Sequence, residues 1–463
     1  MIHLDPQGLT LADLLAIAQQ DAPADFTAQA RQRIDEGHQL LLTLAAGGTP
    51  IYGVTTGLGA AVDTSVAPVQ ESIPLGRAVG VGRLANRQEL RAITAARLAG
   101  LAQGRSGISP QAAQALLDLL NSGVEPAVPL LGSLGESDLA PLAHLSLALT
   151  VPLTGKDGLA LVSANAASVG LGALLVAQAQ QVLHALLSAL ALSCEGYRAN
   201  LSPFQPWASR LRPAPGQTEQ SAALLALLDG GELAGSPRRL QDPLSFRCAT
   251  VVQGAAQQAL QQLQELVELE LRSGADNPAL ISEESLVLAT ANFDSTHLAL
   301  AAEGLGLALS RVAACSAERI AKLLSPASSD LPRFLSTRPG HVGMAALQRT
   351  SSALVAEIGH LANPLPAVSV PVADRVEDYA GQALAVVDKT RRLTERVLWL
   401  ASIELIVAAQ AVDLRGTVKL GQGARQIHEA VRSQVAHLDQ DRSGSVDVLA
   451  LSAFIASNRL SIH

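Results

Sequence analysis

One long stretch of the chain, residues 159–194, contains no Asp, Glu, Lys or Arg. A membrane-spanning helix needs a run of about 20 predominantly apolar residues. Here Ser, Asn, Gln and His side chains interrupt the stretch repeatedly, so no clean apolar run of that length remains. We therefore expect one or two helices buried inside a large helical assembly, and no association with a membrane.

Helical segments account for most of the remaining chain. Hydrophobic residues make up 48% of it but aromatic residues only 2%, a balance that favours closely packed helices. Helices are expected over residues 72–105, 240–273, 295–324, 341–361 and 376–411, and no segment indicates a multi-stranded sheet. Because 463 residues exceed what one hydrophobic core holds, we predict two parts. The fold class is mainly α, with an N-terminal loop-containing lobe over residues 1–195 and a long central helical bundle over 196–463.

Charge, cysteines and missing motifs exclude several classes of function. The formal net charge is -8 and no Lys/Arg run occurs, so no nucleic-acid partner is expected. The three cysteines lie far apart and the N-terminus does not resemble a signal peptide, which predicts a cytoplasmic protein. No histidines stand at metal-ligand spacing, so no metal site is expected. The P-loop and the GxSxG nucleophile motif are absent.

Two glycine-broken loops carry distinctive polar residues. Residues 132–144 form a Gly-Ser turn that leads into a helix, where Asp138 is placed to accept a backbone N–H. Residues 51–61 are too rich in glycine for a helix and carry Tyr52. A capped helix would also explain the pattern of residues 132–144, and a mobile surface loop would explain that of residues 51–61. Loops of this kind also hold active-site residues.

Further candidates stand near the predicted starts of long helices. Gln241 and Arg247 share a face if the helix begins at residue 240, and a guanidinium suits two-point binding of a carboxylate. Phe293 precedes the next helix, and Glu377 lies at the start of the last one. A structural role remains open for each of them.

Together these segments resemble the aromatic amino acid ammonia-lyase family, which includes the histidine, phenylalanine and tyrosine ammonia-lyases. The matching blocks, in order, are residues 52–59, 132–144, 156–161, 241–248, 292–293 and 377–378. The resemblance covers nearly the whole chain. It implies a helical fold of the ammonia-lyase (fumarase/aspartase-like) superfamily and a homotetramer whose active sites draw residues from three subunits.

The turn departs from the family at the point where the family's cofactor forms. The family cyclises an internal Ala-Ser-Gly to a methylidene-imidazolone, as the amide nitrogen after Ser attacks the carbonyl before it. Here the block is one residue shorter and reads Gly135-Glu136-Ser137-Asp138, with no glycine after Ser137. Because a Cβ hinders the close backbone approach, we expect that no methylidene-imidazolone forms and that no cofactor is used.

Other positions also differ from the family. Ser163 stands where the family has an Asn near the cofactor, and Leu244 replaces its second active-site Tyr. Arg77 occupies a position that reads the substrate side chain and is usually His or Leu. By the resemblance, Tyr52 acts as a base and Arg247 holds the substrate carboxylate.

The retained residues complete the predicted site. By the resemblance, Glu377 marks histidine-type substrates. The catalytic candidates are Tyr52, Ser137 and Glu377, and the substrate-binding candidates are Arg77, Ser163, Gln241, Arg247 and Phe293.

Three hypotheses follow for function. The first is a cofactor-independent carbon–nitrogen lyase acting on an amino acid or an amino-acid betaine, similar to ergothionase, a branch of the family that removes trimethylamine from a histidine betaine. The second is a non-catalytic binding or scaffold relative, favoured by the changes at Ser163 and Leu244. The third is a cofactor-free dehydratase. The expected ligand is a small molecule with a carboxylate.

Overall fold

The computed structural model describes residues 1–65, 67–232, 236–365 and 370–460. Helices hold 61% of the residues and strands 6%, which confirms the predicted mainly α fold. The described strands form two-stranded sheets. They are the parallel pair β1 (Ile2–Leu4) and β2 (Ala24–Phe26), and the antiparallel pairs β3 (Val81–Leu84) with β4 (Pro129–Leu131) and β5 (Ala279–Ile281) with β6 (Leu286–Leu288).

The chain divides into two compact units, each built from separate segments. The first unit consists of Met1–Leu175, Leu263–Ala302 and Leu365–Asp388. The second consists of Val176–Gln262, Glu303–Pro364 and the chain from Lys389 onward. The units interleave along the sequence, whereas the predicted lobes over 1–195 and 196–463 are each continuous. The division into those lobes stays a prediction.

The first unit contains short and medium helices. They are α1 (Leu11–Gln19), α2 (Ala28–Ala46), α3 (Ser72–Arg77), α4 (Arg87–Ala102), α5 (Pro110–Ser122), α6 (Leu139–Ser146) and α7 (Asp157–Val162). α5 shows how sequence sets a helix boundary. The Ser109 hydroxyl accepts the Ala112 N–H at 3.2 Å, Pro110 takes the first position, and Gly123 ends the helix with a φ of 74°.

Four long helices contribute residues to both units. They are α8 (Ala166–Tyr197), α12 (Ala249–Leu271), α13 (Thr296–Leu323) and α16 (Ala383–Leu414). The described helices that lie within the second unit are α9 (Pro206–Leu211), α10 (Gln217–Leu228), α11 (Leu244–Arg247), α14 (Pro326–Ser329), α15 (Ala345–Leu361), α17 (Gln422–Gln434) and α18 (Gly444–Ala456). α13 and α15 agree with the helices predicted from the sequence to within a few residues.

The helix predicted over 240–273 is wrong at its start. The short α11 is followed by a break at Cys248 before α12 begins, and Gln241 lies outside both helices. Pro243 explains the late start, because a proline disfavours helical backbone in the residue before it. Gln241 and Arg247 therefore do not share a helical face.

The other long predictions that fail are 376–411 and 72–105. α16 begins only at Ala383, because the backbones of Val372 and Glu377 pair with each other through N–H···O bonds of 3.0 and 3.3 Å. Glu377 consequently lies in an irregular segment. The helix predicted over 72–105 is divided by β3, so Arg77 ends the short α3.

Three helical stretches are long and apolar enough to cross a membrane by length and composition. They are Asp157–Tyr197, Thr296–Leu323 and Ala383–Leu414, and their apolar windows are 100%, 50% and 83% buried within the protein. The complete burial of the first agrees with helices packed inside an assembly. The absence of membrane association stays a prediction.

Candidate active site

The Gly-Ser turn before α6 packs against the residues that begin α16. The backbone N–H of Gln382 donates to the Leu134 carbonyl at 2.8 Å. Gly135 has a φ of 90°, and a Cβ on it would lie 2.8 Å from the backbone nitrogens of both Gln382 and Ala383. Only glycine fits this close approach, so the turn is fixed against the start of α16.

Backbone hydrogen bonds also tie the turn to two other segments of the first unit. The Ser137 N–H donates to the Phe293 carbonyl at 3.3 Å, and the Asp138 N–H donates to the Ala164 carbonyl at 2.8 Å. Ser137 itself adopts a left-handed φ of 64°. These contacts bring the segment before α13 and the segment between α7 and α8 to the same turn.

Asp138 stands immediately before α6, but its carboxylate does not cap that helix. It is fully buried and accepts the Ser168 N–H at 2.6 Å and the Ser168 hydroxyl at 3.0 Å, in the first turn of α8. The Ser133 hydroxyl donates to it at 2.8 Å. Burial raises the pKa of Asp138, and these donors oppose that rise. Asp138 therefore accepts a backbone N–H from the first turn of a helix, but that helix is α8 and not α6.

Tyr52 lies on the glycine-rich loop after α2. Its hydroxyl oxygen accepts a hydrogen bond from the Gly59 N–H at 2.9 Å. Gly53 has a φ of 70°, and a Cβ there would lie 2.6 Å from the Leu58 side chain and 2.7 Å from that of Leu159. The local packing of the loop thus depends on glycine.

The turn and the tyrosine loop line one cavity of about 520 Å³, formed entirely by residues of the first unit. Its size is within the range of small-molecule sites. The polar and aromatic residues that line it are Tyr52, Arg77, Glu136, Ser137, Ser163, Asn277, Phe293, Glu377, Asp378 and Tyr379.

Glu136 is the acidic residue of the turn that faces this cavity. Burial, the largest cause, and the charges of Asp294 and Glu377 together raise the pKa of Glu136 from 4.5 to about 7. The Gly381 N–H opposes this by donating to Glu136 Oε1 at 2.9 Å. The backbones of Glu136 and Asp294 pair in an isolated bridge, which brings the two acidic residues close together.

A chain of hydroxyl groups extends from Asp294 to the cavity wall. The Thr296 hydroxyl donates to Asp294 Oδ2 at 3.1 Å, and the Tyr379 hydroxyl lies 2.5 Å from Thr296 Oγ1. Because the Thr296 proton is directed at Asp294, the Tyr379 hydroxyl donates to Thr296. This chain places the Tyr379 ring beside the Glu136–Asp294 pair.

Comparison with known proteins gives this cavity a context. The family model for aromatic amino acid lyases matches residues 9–151 and 150–433. The chain belongs to the aromatic amino acid lyase family. The histidine ammonia-lyase of Myxococcus xanthus (strain DK1622) is 33% identical over 494 residues, covering 99% of this chain and 97% of that relative. That of Gloeobacter violaceus is 33% identical over 493 residues, covering 99% and 96%.

Two solved structures are similar in fold over nearly the whole chain. Ergothionase from Treponema denticola, in complex with desmethyl-ergothioneine sulfonic acid, aligns with a TM-score of 0.93 at 28% identity and covers 99% of both chains. Tyrosine aminomutase from Streptomyces globisporus aligns with a TM-score of 0.92 at 29% identity, covering 99% of this chain and 97% of the other. The predicted family and the prediction of a lyase are confirmed.

Six of the site residues predicted for this lyase line the cavity: Tyr52, Arg77, Ser137, Ser163, Phe293 and Glu377. Gln241 and Arg247 belong to the second unit and are not among its lining residues. The Arg247 Nε donates to the Asp242 carbonyl at 2.7 Å. The roles of all these residues stay predictions.

Sequence reasoning did not select four residues that belong to this environment. Asn277, Asp378 and Tyr379 line the cavity, and Asp294 contacts Glu136. Tyr379 could have been found as one of three tyrosines, two residues after Glu377. Asp294 follows Phe293 directly, but nothing in the sequence pairs it with Glu136.

Metal binding finds no support among the residues that the structure describes. No group of three or more His, Cys, Asp or Glu side chains there is arranged to hold a metal ion. That the enzyme uses no metal stays a prediction.

Proposed function

We propose that this family member is a cofactor-independent carbon–nitrogen lyase that releases a tertiary amine from the quaternary ammonium group of an amino-acid betaine. One observation carries the proposal. The turn that holds the family's electrophile is fixed by its own hydrogen bonds, while Tyr52 lines the same cavity. The likeness to ergothionase, crystallised with desmethyl-ergothioneine sulfonic acid, supports the same substrate class.

The residues of the turn do not fit the methylidene-imidazolone. Cyclisation would require the Asp138 nitrogen to attack the Glu136 carbonyl. That nitrogen instead donates to Ala164 at 2.8 Å, and the Asp138 side chain is buried and bound to Ser133 and Ser168. Releasing it would leave buried polar groups unpaired. The proposed reaction therefore uses no step through this group.

A quaternary ammonium group can leave without the electrophile. The Tyr52 phenolate takes the proton from Cβ, the Cβ–H electrons form the double bond to Cα, and the Cα–N bond breaks. The amine leaves neutral with its electron pair, so no acid is required. The Gly59 N–H, 2.9 Å from the Tyr52 oxygen, fixes the position of this oxygen at the cavity.

The remaining site residues bind and orient the substrate in this proposal. Following the family resemblance, the protein is a homotetramer in the cytoplasm. Arg247 and Gln241 hold the substrate carboxylate. The Glu377 carboxylate binds a basic ring of the substrate. Arg77, half-buried and without a carboxylate partner among the described residues, binds a polar acceptor on the side chain.

The hydroxyls of Ser137 and Ser163 serve as further hydrogen-bond donors to the substrate, and Phe293 packs against its ring. Ser137 and Ser163 are only 5% and 6% exposed, and both line the cavity. Polar groups held this rigidly lose little entropy on binding, which suits them to orient a substrate.

The decisive experiment combines turnover with intact mass. Histidine betaine should release trimethylamine, and Tyr52→Phe should reduce that rate by at least about 100-fold, because a general base contributes roughly 10²–10⁴-fold. Trimethylamine release is measured directly, together with the mass of the intact protein. Tyr197→Phe is the matched control. Tyr197 is fully buried in the second unit and its hydroxyl has no hydrogen-bond partner among the described residues, so its loss should leave turnover unchanged.

Each other outcome points to a different conclusion. A mass lower by two water molecules would show the methylidene-imidazolone and refute the proposal. Full activity of Tyr52→Phe would remove Tyr52 from its role as the base. Turnover of hydroxy acids alone would indicate the dehydratase, and turnover of no tested class would favour the binding or scaffold relative.

A further inference from the structure

The cavity brings aromatic rings and acidic groups together in a chain that is poor in aromatic residues. Aromatic residues make up only 2% of the sequence, yet Tyr52, Phe293 and Tyr379 all line this one site. Glu136 and Glu377 line it as well. A cation is attracted both by the faces of aromatic rings and by carboxylates. The combination favours a positively charged ligand group.

Two buried hydroxyls show that this is a site for a ligand and more than a cluster of acids. Ser137 and Ser163 are more than nine-tenths buried and line the cavity. Within the described residues, neither hydroxyl has a hydrogen-bond partner. Because both residues line the cavity, their hydroxyls are available to hydrogen-bond with polar atoms of a bound molecule.

We infer that Glu136, together with the rings of Tyr52, Phe293 and Tyr379, binds the cationic ammonium group of the substrate. The inference rests on the proposed function and adds to it the residue that selects a permanently charged leaving group. Glu136 sits on the turn that carries the electrophile in the family. A carboxylate there attracts the substrate nitrogen by charge, whereas the electrophile binds it covalently.

The turn gives Glu136 the rigidity that this role needs. Its neighbour Gly135 fits against Gln382 and Ala383 without room for a Cβ, and the Gly381 N–H fixes Oε1 at 2.9 Å. Asp378, by contrast, is exposed on the same cavity wall. A fixed, half-buried charge is screened less by water than an exposed one.

Binding of a cation should change the protonation of Glu136. The titratable or charged groups that face it are Asp294, Glu377, Asp378, Tyr379, Tyr52 and Arg77. In the free protein the pKa of Glu136 is raised to about 7, first by burial and further by the neighbouring charge of Asp294. A bound cation stabilises the ionised carboxylate, so the proton leaves to solvent and affinity rises with pH.

The test compares two ligands that differ only in charge. Histidine betaine and its neutral carbon isostere, with a tert-butyl group in place of trimethylammonium, are titrated calorimetrically into the Tyr52→Phe variant, which retains the ring. We expect the betaine to bind at least about tenfold more tightly at pH 8. Between pH 6 and pH 8 this preference should grow by about tenfold, since a carboxyl with a pKa of about 7 ionises across that interval. The imidazole, common to both ligands, cancels in the ratio.

Glu136→Gln in the same background is the decisive variant. It should reduce the preference to about twofold or less and remove its pH dependence and the proton release on binding. Glu270→Gln is the matched control. Burial also raises the pKa of Glu270 to about 7, but Glu270 lines a separate cavity of about 20 Å³. This control should retain the full preference.

The outcomes separate this inference from the proposed function. Equal affinity for the two ligands, no binding of either, or an unchanged preference in Glu136→Gln would each overturn the inference. Charge-selective binding without trimethylamine release by the wild type would refute the lyase reaction and leave the inference standing. Trimethylamine release with no role for Glu136 would do the reverse.

Discussion

Two carboxylates, Glu404 in the second unit and Glu136 in the first, are partnered in opposite ways. In the second unit, Glu404 is fully buried and accepts hydrogen bonds from Arg319 at 2.6 and 2.8 Å, from Ser193 at 2.7 Å and from Ser316 at 2.6 Å. Arg319, also fully buried, donates in addition to the Ser245 carbonyl at 3.0 Å. Two-point pairing with further donors is the geometry that compensates for burial of charge.

In the first unit, Glu136 faces like charges. Asp294 and Glu377 lie close enough to raise the pKa of Glu136, and the Gly381 N–H is the donor that opposes them. Such an arrangement costs stability and persists where a ligand compensates it. The difference indicates that the Arg319–Glu404 pair serves the fold and that the Glu136 environment serves binding.

The largest expected effect follows from breaking the Arg319–Glu404 pair. Glu404→Leu should lower the free energy of unfolding by about 3–5 kcal/mol, because Arg319 is left as an uncompensated buried charge. Denaturant unfolding at pH 7 and fixed protein concentration measures the loss. The double variant Arg319→Met/Glu404→Leu is the control and should recover much of it. A single variant as stable as the wild type would remove the structural role of the pair.

A smaller effect is expected at Asp138. This residue tests whether the hydrogen-bond partners of a carboxylate, or its position in the chain, determine its effect on stability. Asp138 lies two residues from Glu136 but is partnered as Glu404 is, by Ser168 and Ser133. Asp138→Asn should cost about 1–3 kcal/mol, because its amide group would face donors that need an acceptor. Ser133→Ala, which removes one of the donors, should cost less in the same unfolding measurement.

If Asp138→Asn instead leaves the free energy of unfolding unchanged, the distinction between the two kinds of carboxylate fails within a single turn. The result would then attribute the behaviour of Glu404 to its arginine partner alone.

Local sequence signals predicted those parts of the fold that local contacts determine. Ser109 and Pro110 are local signals that set the start of α5, and the long α13 lies where its sequence pattern predicted it. The start of α16 was missed because the pairing of Val372 with Glu377 replaces a helical turn. Helical periodicity carries no information about such pairing.

The candidate site shows the same limit. Tyr52, Ser137 and Glu377 could be selected from glycine-rich loops and family resemblance, and they line one cavity. The proximity of Glu136 to Asp294 could not be predicted, because it depends on the meeting of two segments that are far apart in sequence. The roles of Gln241 and Arg247 remain predictions from the resemblance.

The smallest expected effect is a pH-dependent one at Glu136. Burial raises the pKa of Glu136 from 4.5 to about 7, so between these values the folded state keeps a proton that the unfolded chain releases. Its contribution to stability is thus present below pH 4.5 and is lost as the pH rises through about 7. Glu136→Gln removes this titration. The variant should be no more stable than the wild type at pH 5 and more stable at pH 8, by at most about 1 kcal/mol after solvent screening.

Unfolding free energies of both proteins at pH 5 and pH 8 measure this difference. Glu270 titrates in the same range but is present in both proteins, so the subtraction isolates Glu136. Parallel pH profiles would mean that the ionisation of Glu136 does not lower the free energy of unfolding. The contrast between a carboxylate held by donors and one held among acids would then lose its energetic basis, even if both geometries stand.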